Sequence, residues 1–392
     1  MNFTYFAVIL IVSISVSYKC FIFIKSQEMK RIILFFWICI LLLNFDLSAQ
    51  HKNSTVVSIK DDQFFINGKP TYENVYWNGY KIEGLLLNSR MVQGIFDDMN
   101  PVTSNNWIYP DTKKWDAGRN TNEFIQNMEK WKSYGLLSFT INMQGGSPQG
   151  YSNLQPWNNS SYTEDGNLRP EYIGRLQKIL DKADELGMVP ILGLFYFGQD
   201  ERLKNEESVI NAVNNIIDWL ANKKYRNILI EINNECDVNK YDHEILKPYR
   251  VSELIKLIKG KETEGFRFYV GTSFGGGSIP PPNVVKSSDF ILLHGNGVGN
   301  PDNITSMVEK VREVNGYTVK PILFNEDDHF NFDKENNNFT AAIKSYASWG
   351  YFDYRMKDEN FENGYQSVPV DWGINSERKN QFFNLLKNIT GN

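Results

Sequence analysis

The sequence predicts an α/β fold, a (β/α)8 barrel with a short N-terminal β-hairpin extension. Two observations carry that expectation. Eight short apolar runs recur from residue 81 onward, and amphipathic helical patterns lie between most of them. No internal repeat or low-complexity linker divides the stretch, so one domain is expected over residues 80–392. A doubly wound open sheet is the rival arrangement, for which eight strands are many.

In chain order, residues 50–79 form the extension. Its segment "VVSIKDDQFFINGKPTYENV" (56–75) alternates apolar and polar residues and turns at "NGKP", the pattern of a short hairpin. Barrel strands are expected at 81–88, 136–142, 189–197, 227–232, 267–272, 290–294, 321–324 and 351–354. The segments between them repeat with a helical period. In "RPEYIGRLQKILDKADELG", Ile173, Leu176, Ile179, Leu180, Ala183 and Leu186 share one face, Pro170 suits the first turn and Gly187 closes the end. "TNEFIQNMEKWKSYG", "ESVINAVNNIIDWLANK", "VSELIKLIKG", "ITSMVEKVREVNG" and "FTAAIKSYAS" behave likewise, and "SERKNQFFNLLKNIT" supplies a last helix. The crossover between the fifth and sixth strands, "GGGSIPPPNVVKSSD", is short and rich in Pro and Gly, so a full helix is not expected there.

Residues 1–49 stand apart from the fold. They hold two apolar runs, 3–24 and 32–43, separated by "KSQEMKR". The second reads as an export signal, with Lys30 and Arg31 ahead of "IILFFWICILLL" and Ala49 before a cut at Gln50; Met29 is a natural start for it. The first run is then an over-extended start, or a membrane anchor of about spanning length. Without residues 1–49 the chain keeps 37 of its 41 basic and 44 of its 46 acidic residues, a net charge of −7. That mild acidic excess, with no basic cluster, argues against nucleic acid and against anionic membrane surfaces as partners. Of the three cysteines, Cys20 and Cys39 lie in the segment set aside. Cys236 remains alone, so no intramolecular disulfide forms, and an exported, periplasmic or secreted enzyme is expected.

In such a barrel the chemistry sits at the C-terminal strand ends. These ends are polar throughout: Asn88 and Arg90; Asn142 and Gln144; Tyr196, Gln199 and Asp200; Asn234, Glu235 and Asp237; His294 and Asn296; Asn325, Glu326, Asp327, Asp328 and His329; Asp353 and Arg355. Two of them share a form, "INNEC" after strand four and "FNEDD" after strand seven. Strands four and seven are three apart in a ring of eight, so their ends face each other across the mouth. Facing carboxylates can cleave a glycosidic bond, one donating a proton to the leaving oxygen while the other attacks the sugar carbon. An isolated strand-end Glu more often caps a helix or pairs with an arginine such as Arg90, Arg226 or Arg355. Two Asn-Glu ends at complementary positions favour catalysis.

On these residues the chain resembles the clan A glycoside hydrolases, the cellulase-like superfamily of retaining TIM-barrel enzymes. The resemblance covers the barrel from about residue 80 to the C-terminus and is specific at the two Glu positions. It implies Glu235 as general acid/base, Glu326 as nucleophile, and Asn234 as the amide that holds the sugar 2-hydroxyl. It also implies His294 near the nucleophile and Trp349 as a sugar-stacking residue near the end of strand eight. Cys236 stands where the family often has Pro, and no strand-two Arg is seen; Arg90, after strand one, stands in for it. No cofactor is implied. Further substrate contacts are expected from Asn142, Gln144, Tyr196 and Asp328, and from the long loops 145–168 and 357–376, where Tyr151, Trp157, Tyr365 and Trp372 offer flat apolar faces. For each aromatic, loop packing competes with ligand contact.

Other readings are weaker. "FNEDDH" (324–329) gathers carboxylates and a His that would suit a divalent metal, but metal-dependent barrel hydrolases pair histidines at short spacing and this chain has four in all, so no metal is expected. "GNGVGN" (295–300) is followed at once by Pro301 and opens no nucleotide loop. A Cys236 thiolate activated by His243 is less expected than a buried packing Cys. A non-catalytic carbohydrate-binding barrel is the alternative from another class; it would keep the loop aromatics and need not keep the two carboxylates.

Overall fold

The computed structural model describes residues 55–152 and 154–392, so the expected export or anchor segment, residues 1–49, lies outside the described residues. Among those described, no helix is long and apolar enough to cross a membrane. Two antiparallel ribbons come first: β1 (Val57–Lys60), β2 (Gln63–Ile66) and β3 (Lys69–Pro70), then β4 (Tyr76–Trp77) and β5 (Tyr80–Lys81). The extension has one more turn than expected. Asp61, at φ 53°, turns β1 into β2, and Asn67-Gly68, at φ 53° and 77°, turns β2 into β3.

A ring of eight parallel strands follows, β6 (Asn88–Arg90), β7 (Ser138–Asn142), β8 (Val189–Phe195), β9 (Leu229–Asn233), β10 (Tyr269–Gly271), β11 (Ile291–His294), β12 (Ile322–Glu326) and β13 (Gly350–Tyr351). Six are bonded in the order β10-β9-β8-β7-β6-β13, and β11 pairs with β12. Backbone bonds close both remaining seams: Ser348 N donates to Ile322 O and Phe324 N to Ser348 O, while Asp289 N donates to Val270 O. The chain is therefore a (β/α)8 TIM barrel.

One helix follows each strand: α1 (Ala117–Ser133), α2 (Pro170–Leu186), α3 (Glu206–Asn222), α4 (Val251–Lys259), α5 (Pro282–Ser287), α6 (Pro301–Glu313), α7 (Asn338–Lys344) and α8 (Glu377–Thr390). The sequence marks their ends. Side chains of Asp116, Asn205, Asn300, Asn337 and Ser376 each accept a first-turn N–H, and Gly187 closes α2 at φ 67°. The Pro-rich crossover keeps only the six residues of α5.

Strand alternation sorts the core in two. Leu192, Leu194, Ile230, Ile232, Leu293 and Phe324 pack outward with the helices, while Ile191, Leu229, Leu292 and Leu323 form a separate cluster inside the ring with Val57 and Phe64 of the extension. Phe64 is fully buried there, edge-on to Phe290 at 6.3 Å. Val57 N donates to Arg226 O and Phe64 N to Gly84 O, so the small sheet plugs the N-terminal mouth of the barrel. The opposite mouth is left to polar residues.

The first barrel strand begins seven residues later than expected. Residues 80–81 pair back onto 76–77, and Ile82 N bonds Val75 O, which uses up the start of the predicted run 81–88. Arg90 consequently ends the strand instead of following it.

Candidate active site

Two backbone irregularities aim the acidic residues. Along β12, strict alternation would send Glu326 outward with Phe324. A register shift opposes Leu293 to Phe324 and His294 to Glu326, skipping Asn325, and this bulge turns both Asn325 and Glu326 into the barrel. After β9, Glu235 sits at φ 49°, a left-handed conformation costly for a side chain of this kind, with its N–H donated to Ser273 Oγ at 3.0 Å.

The side chains these turns deliver meet in one cluster. Arg90 Nε lies 2.7 Å from Glu326 Oε2, an ion-pair contact outside hydrogen-bond geometry, and Arg90 Nη2 donates to Asn234 Oδ1 at 2.9 Å. His294 Nδ1 is 3.1 Å from Glu235 Oε1 and 3.7 Å from Glu326 Oε2, so the imidazole stands between the carboxylates. A carboxylate oxygen of Glu235 lies within 4.8 Å of one of Glu326. Asn296 Nδ2 donates to Glu326 Oε1 at 2.7 Å. Below them Asn325 Nδ2 donates to Glu231 Oε1 at 3.2 Å inside the ring.

Burial pushes the Glu326 carboxyl up from its ordinary value, and the negative charge of Glu235 adds to it; Arg90, His294 and Asn296 only partly hold it back. For Glu235 burial also works upward, but the hydrogen bond and charge of His294, with Arg90 and Lys240, prevail and its pKa falls. His294 itself is raised: burial favours the neutral ring, and the charge of Glu326 and the bond to Glu235 overcome it. Such a cluster titrates as a unit. Burial raises the Tyr196 hydroxyl, with the charges of Glu326 and Glu235 adding to it.

The other expected site residues divide. Asn142 lies on the inner face of β7, where a Cβ at Gly193 would meet its Oδ1 at 2.3 Å. Gln144 is spent on loop structure, donating to Ser160 Oγ and Gln199 O and accepting from Tyr196 N. Asp328 accepts from the Tyr151 hydroxyl at 2.9 Å and from Gly297 N. Four aromatics expected to offer faces to sugar are corrected by burial. Trp349 stacks on Phe339 at 4.8 Å, packs against Phe382, and donates Nε1 to Asp327 Oδ2, so no face reaches the mouth. Trp157 is packed edge-on to Trp107, and Tyr365 stacks on Trp372 in the core. Only Tyr151, 53% exposed, keeps an open ring. Trp349→Ala is accordingly expected to cost stability, about 3–5 kcal/mol, read as a lower denaturation midpoint at unchanged slope.

Residues that sequence reasoning missed are Glu231, hidden in an apolar-looking strand, and Ser273, whose hydroxyl fixes the Glu235 backbone. Alternation along "LIEIN" signals the first; nothing in the sequence signals the second.

Among the described residues two groups bring metal-ligating atoms together, Glu235/His294/Glu326 and Asp327/Asp328/His329. In the first a cation would sit against the Arg90 guanidinium. In the second Asp327 already accepts from Trp349, Asn338 and His329, and a cation would have to displace those donors. A thiolate at Cys236 has no base, because His243 Nε2 faces Asp200 O and Leu203 O, and burial raises the thiol well above its usual range.

Searches against protein-family models and against curated proteins return no match. Solved structures do match. An endo-1,4-beta-mannanase from Rhizomucor miehei aligns at TM-score 0.54 and 11% identity, over 86% of this chain and 99% of that one. The chain shares its barrel fold with that enzyme. A glycoside hydrolase family 5 protein from Bacteroides vulgatus aligns at TM-score 0.51 and 13% identity, over 82% and 69%. A GH5-4 broad specificity endoglucanase from Bacteroides salanitronis aligns at 0.50 and 12%, over 80% and 97%.

Proposed function

We propose that the chain is a glycoside hydrolase that cleaves a poly- or oligosaccharide with retention of anomeric configuration. The observation that carries this reading is that a carboxylate oxygen of Glu235 and one of Glu326 come within 4.8 Å of each other at the strand-end mouth. Carboxyl groups roughly 5–5.5 Å apart suit double displacement, whereas roughly 6.5–9.5 Å leaves room for the water of an inverting reaction. Glu326 attacks the anomeric carbon while Glu235 protonates the leaving oxygen, drawing that proton from His294, whose Nδ1 lies 3.1 Å from Glu235 Oε1 and whose pKa is raised. Glu235 then takes a proton from water as that water attacks the same carbon and releases Glu326. Arg90 favours the ionised form of Glu326 and offsets part of the burial that raises it. It also occupies Asn234 Oδ1, which leaves the Asn234 amide NH2 as a donor for a sugar hydroxyl. The export-like segment in residues 1–49 supports placing this activity in the periplasm or outside the cell.

The test is hydrolysis of a glycan panel with the anomeric configuration of the first product read by NMR. Retention supports the proposal, inversion refutes its mechanism, and binding without turnover points to the carbohydrate-binding alternative.

The charges set a pH dependence. With Glu326 raised, kcat/KM should fall on the acid side at a pH above the ordinary carboxylate range, as the nucleophile takes up a proton. With His294 raised, its proton should be lost above the ordinary histidine range, giving an alkaline limb. Arg90→Ala should move the acid limb further up, since the charge that favours ionised Glu326 is gone. Leaving that buried carboxylate without its guanidinium should also destabilise the fold by about 3–5 kcal/mol.

A further inference from the structure

We propose that Tyr151 roofs the Glu326 side of the mouth and makes this a chain-end enzyme, one that removes single sugar units from the non-reducing end of a glycan. The proposal rests on the retaining reading above.

Tyr151 stands nine residues after β7, the second strand of the ring, yet its hydroxyl reaches the loops after the sixth and seventh strands. It donates to Asp328 Oδ2 at 2.9 Å and accepts from Asn296 Nδ2, the same amide group that donates to Glu326 Oε1 at 2.7 Å. Strands two and six are opposite in a ring of eight, so the residue spans the mouth.

The route it takes is fixed. Gln93 Nε2, from beyond the first strand, donates to Gly146 O at 2.9 Å. From beyond the eighth, Gln366 Nε2 donates to Ser147 O at 3.0 Å and Val368 N to Pro148 O at 2.8 Å. Gly150, at φ 87°, lies so close to Tyr354 that a Cβ would come within 2.7 Å of its ring, and the Tyr151 ring is edge-on to Phe352 and Tyr354 at 5.6 and 5.0 Å. The first half of the loop therefore lies over strands one, eight and seven; its second half rests on the loop after strand three, where Gln199 Nε2 and Arg202 Nη2 donate to Trp157 O, and neither half crosses the ends of strands four and five. Exposure follows the same division: the Glu326 side chain is 6% exposed and that of Glu235 17%.

In double displacement the sugar bonded to the nucleophile carries any further units on its non-reducing side, and the leaving group departs past the acid/base. A bridge bonded to the nucleophile's own amide partner stops the chain on the first side. The second side stays open for a leaving group of any length.

Hexasaccharides of β-1,4-glucan and β-1,4-mannan, labelled at the reducing end, test this together with the linear hexasaccharide of any further glycan the panel shows to be cleaved. Wild type should shorten a labelled chain one unit at a time. Tyr151→Ala should raise the ratio of internal to terminal cuts by about tenfold or more, and Tyr151→Phe, which keeps the ring contacts and loses the hydroxyl bridge, should fall between. Internal cuts by wild type overturn the proposal and leave the hydrolase reading intact. Terminal cutting unchanged in Tyr151→Ala also overturns it, because the bridge is then not the barrier. No turnover of any labelled glycan overturns the hydrolase reading and this proposal with it.

Discussion

Glu326→Ala is expected to lower turnover by on the order of 10^4-fold or more while glycan affinity stays near that of the wild type. The asymmetry follows from geometry. Glu326 is almost wholly buried beneath the mouth, so it contributes little contact to a bound sugar and forms its one essential bond in the reaction. Truncation leaves space where the carboxylate stood, and a small anion such as azide or formate can enter it. Added azide should attack the anomeric carbon from that face, restore part of the rate, and give a glycosyl azide of inverted configuration. Residual turnover within tenfold of wild type would remove Glu326 from the mechanism.

The second large effect is expected at Glu235, and it should depend on the leaving group. A glycan oxygen departs as an alkoxide unless protonated, so Glu235→Gln should slow cleavage of a natural linkage by about 10^2–10^4-fold. An aryl glycoside with an acidic phenol needs no such proton, and its first step should be nearly spared. Release of the glycosyl intermediate then limits the rate, since no base remains to activate water. Azide needs no base and should accelerate that step with retention. Equal losses on both kinds of substrate would mean that Glu235 does not act as the acid.

The barrel was legible because its physics is repetitive. Apolar runs with helical patterns between them set the eight strands, and Pro170 and Gly187 set the ends of the second helix. The first strand was misplaced because residues 80–81 are as well suited to a local hairpin as to the ring. At the site, the two Asn-Glu ends stood out by position, but their orientation did not. Glu326 depends on a bulge at Asn325 and Glu235 on a left-handed backbone, and neither has a mark in the sequence. Glu231 was passed over because a single carboxylate in an apolar strand looks like a surface interruption until the inner face is known.

The aromatics failed for a different reason. Trp349, Trp157, Tyr365 and Trp372 have the right composition for sugar platforms, yet they bury in the core, where a ring gains most from leaving water. Their loops fold back on the barrel through bonds that only the tertiary structure supplies. One such bond joins Trp372 Nε1 to Asn120 Oδ1 at 3.0 Å. Tyr151 escapes that fate because its polar end is held by Asn296 and Asp328 above the mouth.

The central claim is that Glu326 forms a covalent bond to the sugar. A 2-deoxy-2-fluoro glycoside with an acidic phenol as leaving group tests it most directly: fluorine slows both steps, and the good leaving group restores only the first. Mass spectrometry of the proteolysed enzyme should find the fluorosugar on the peptide containing Glu326, with activity lost in step with labelling. A label on another residue, or inverted product with no label on any peptide, would contradict the account.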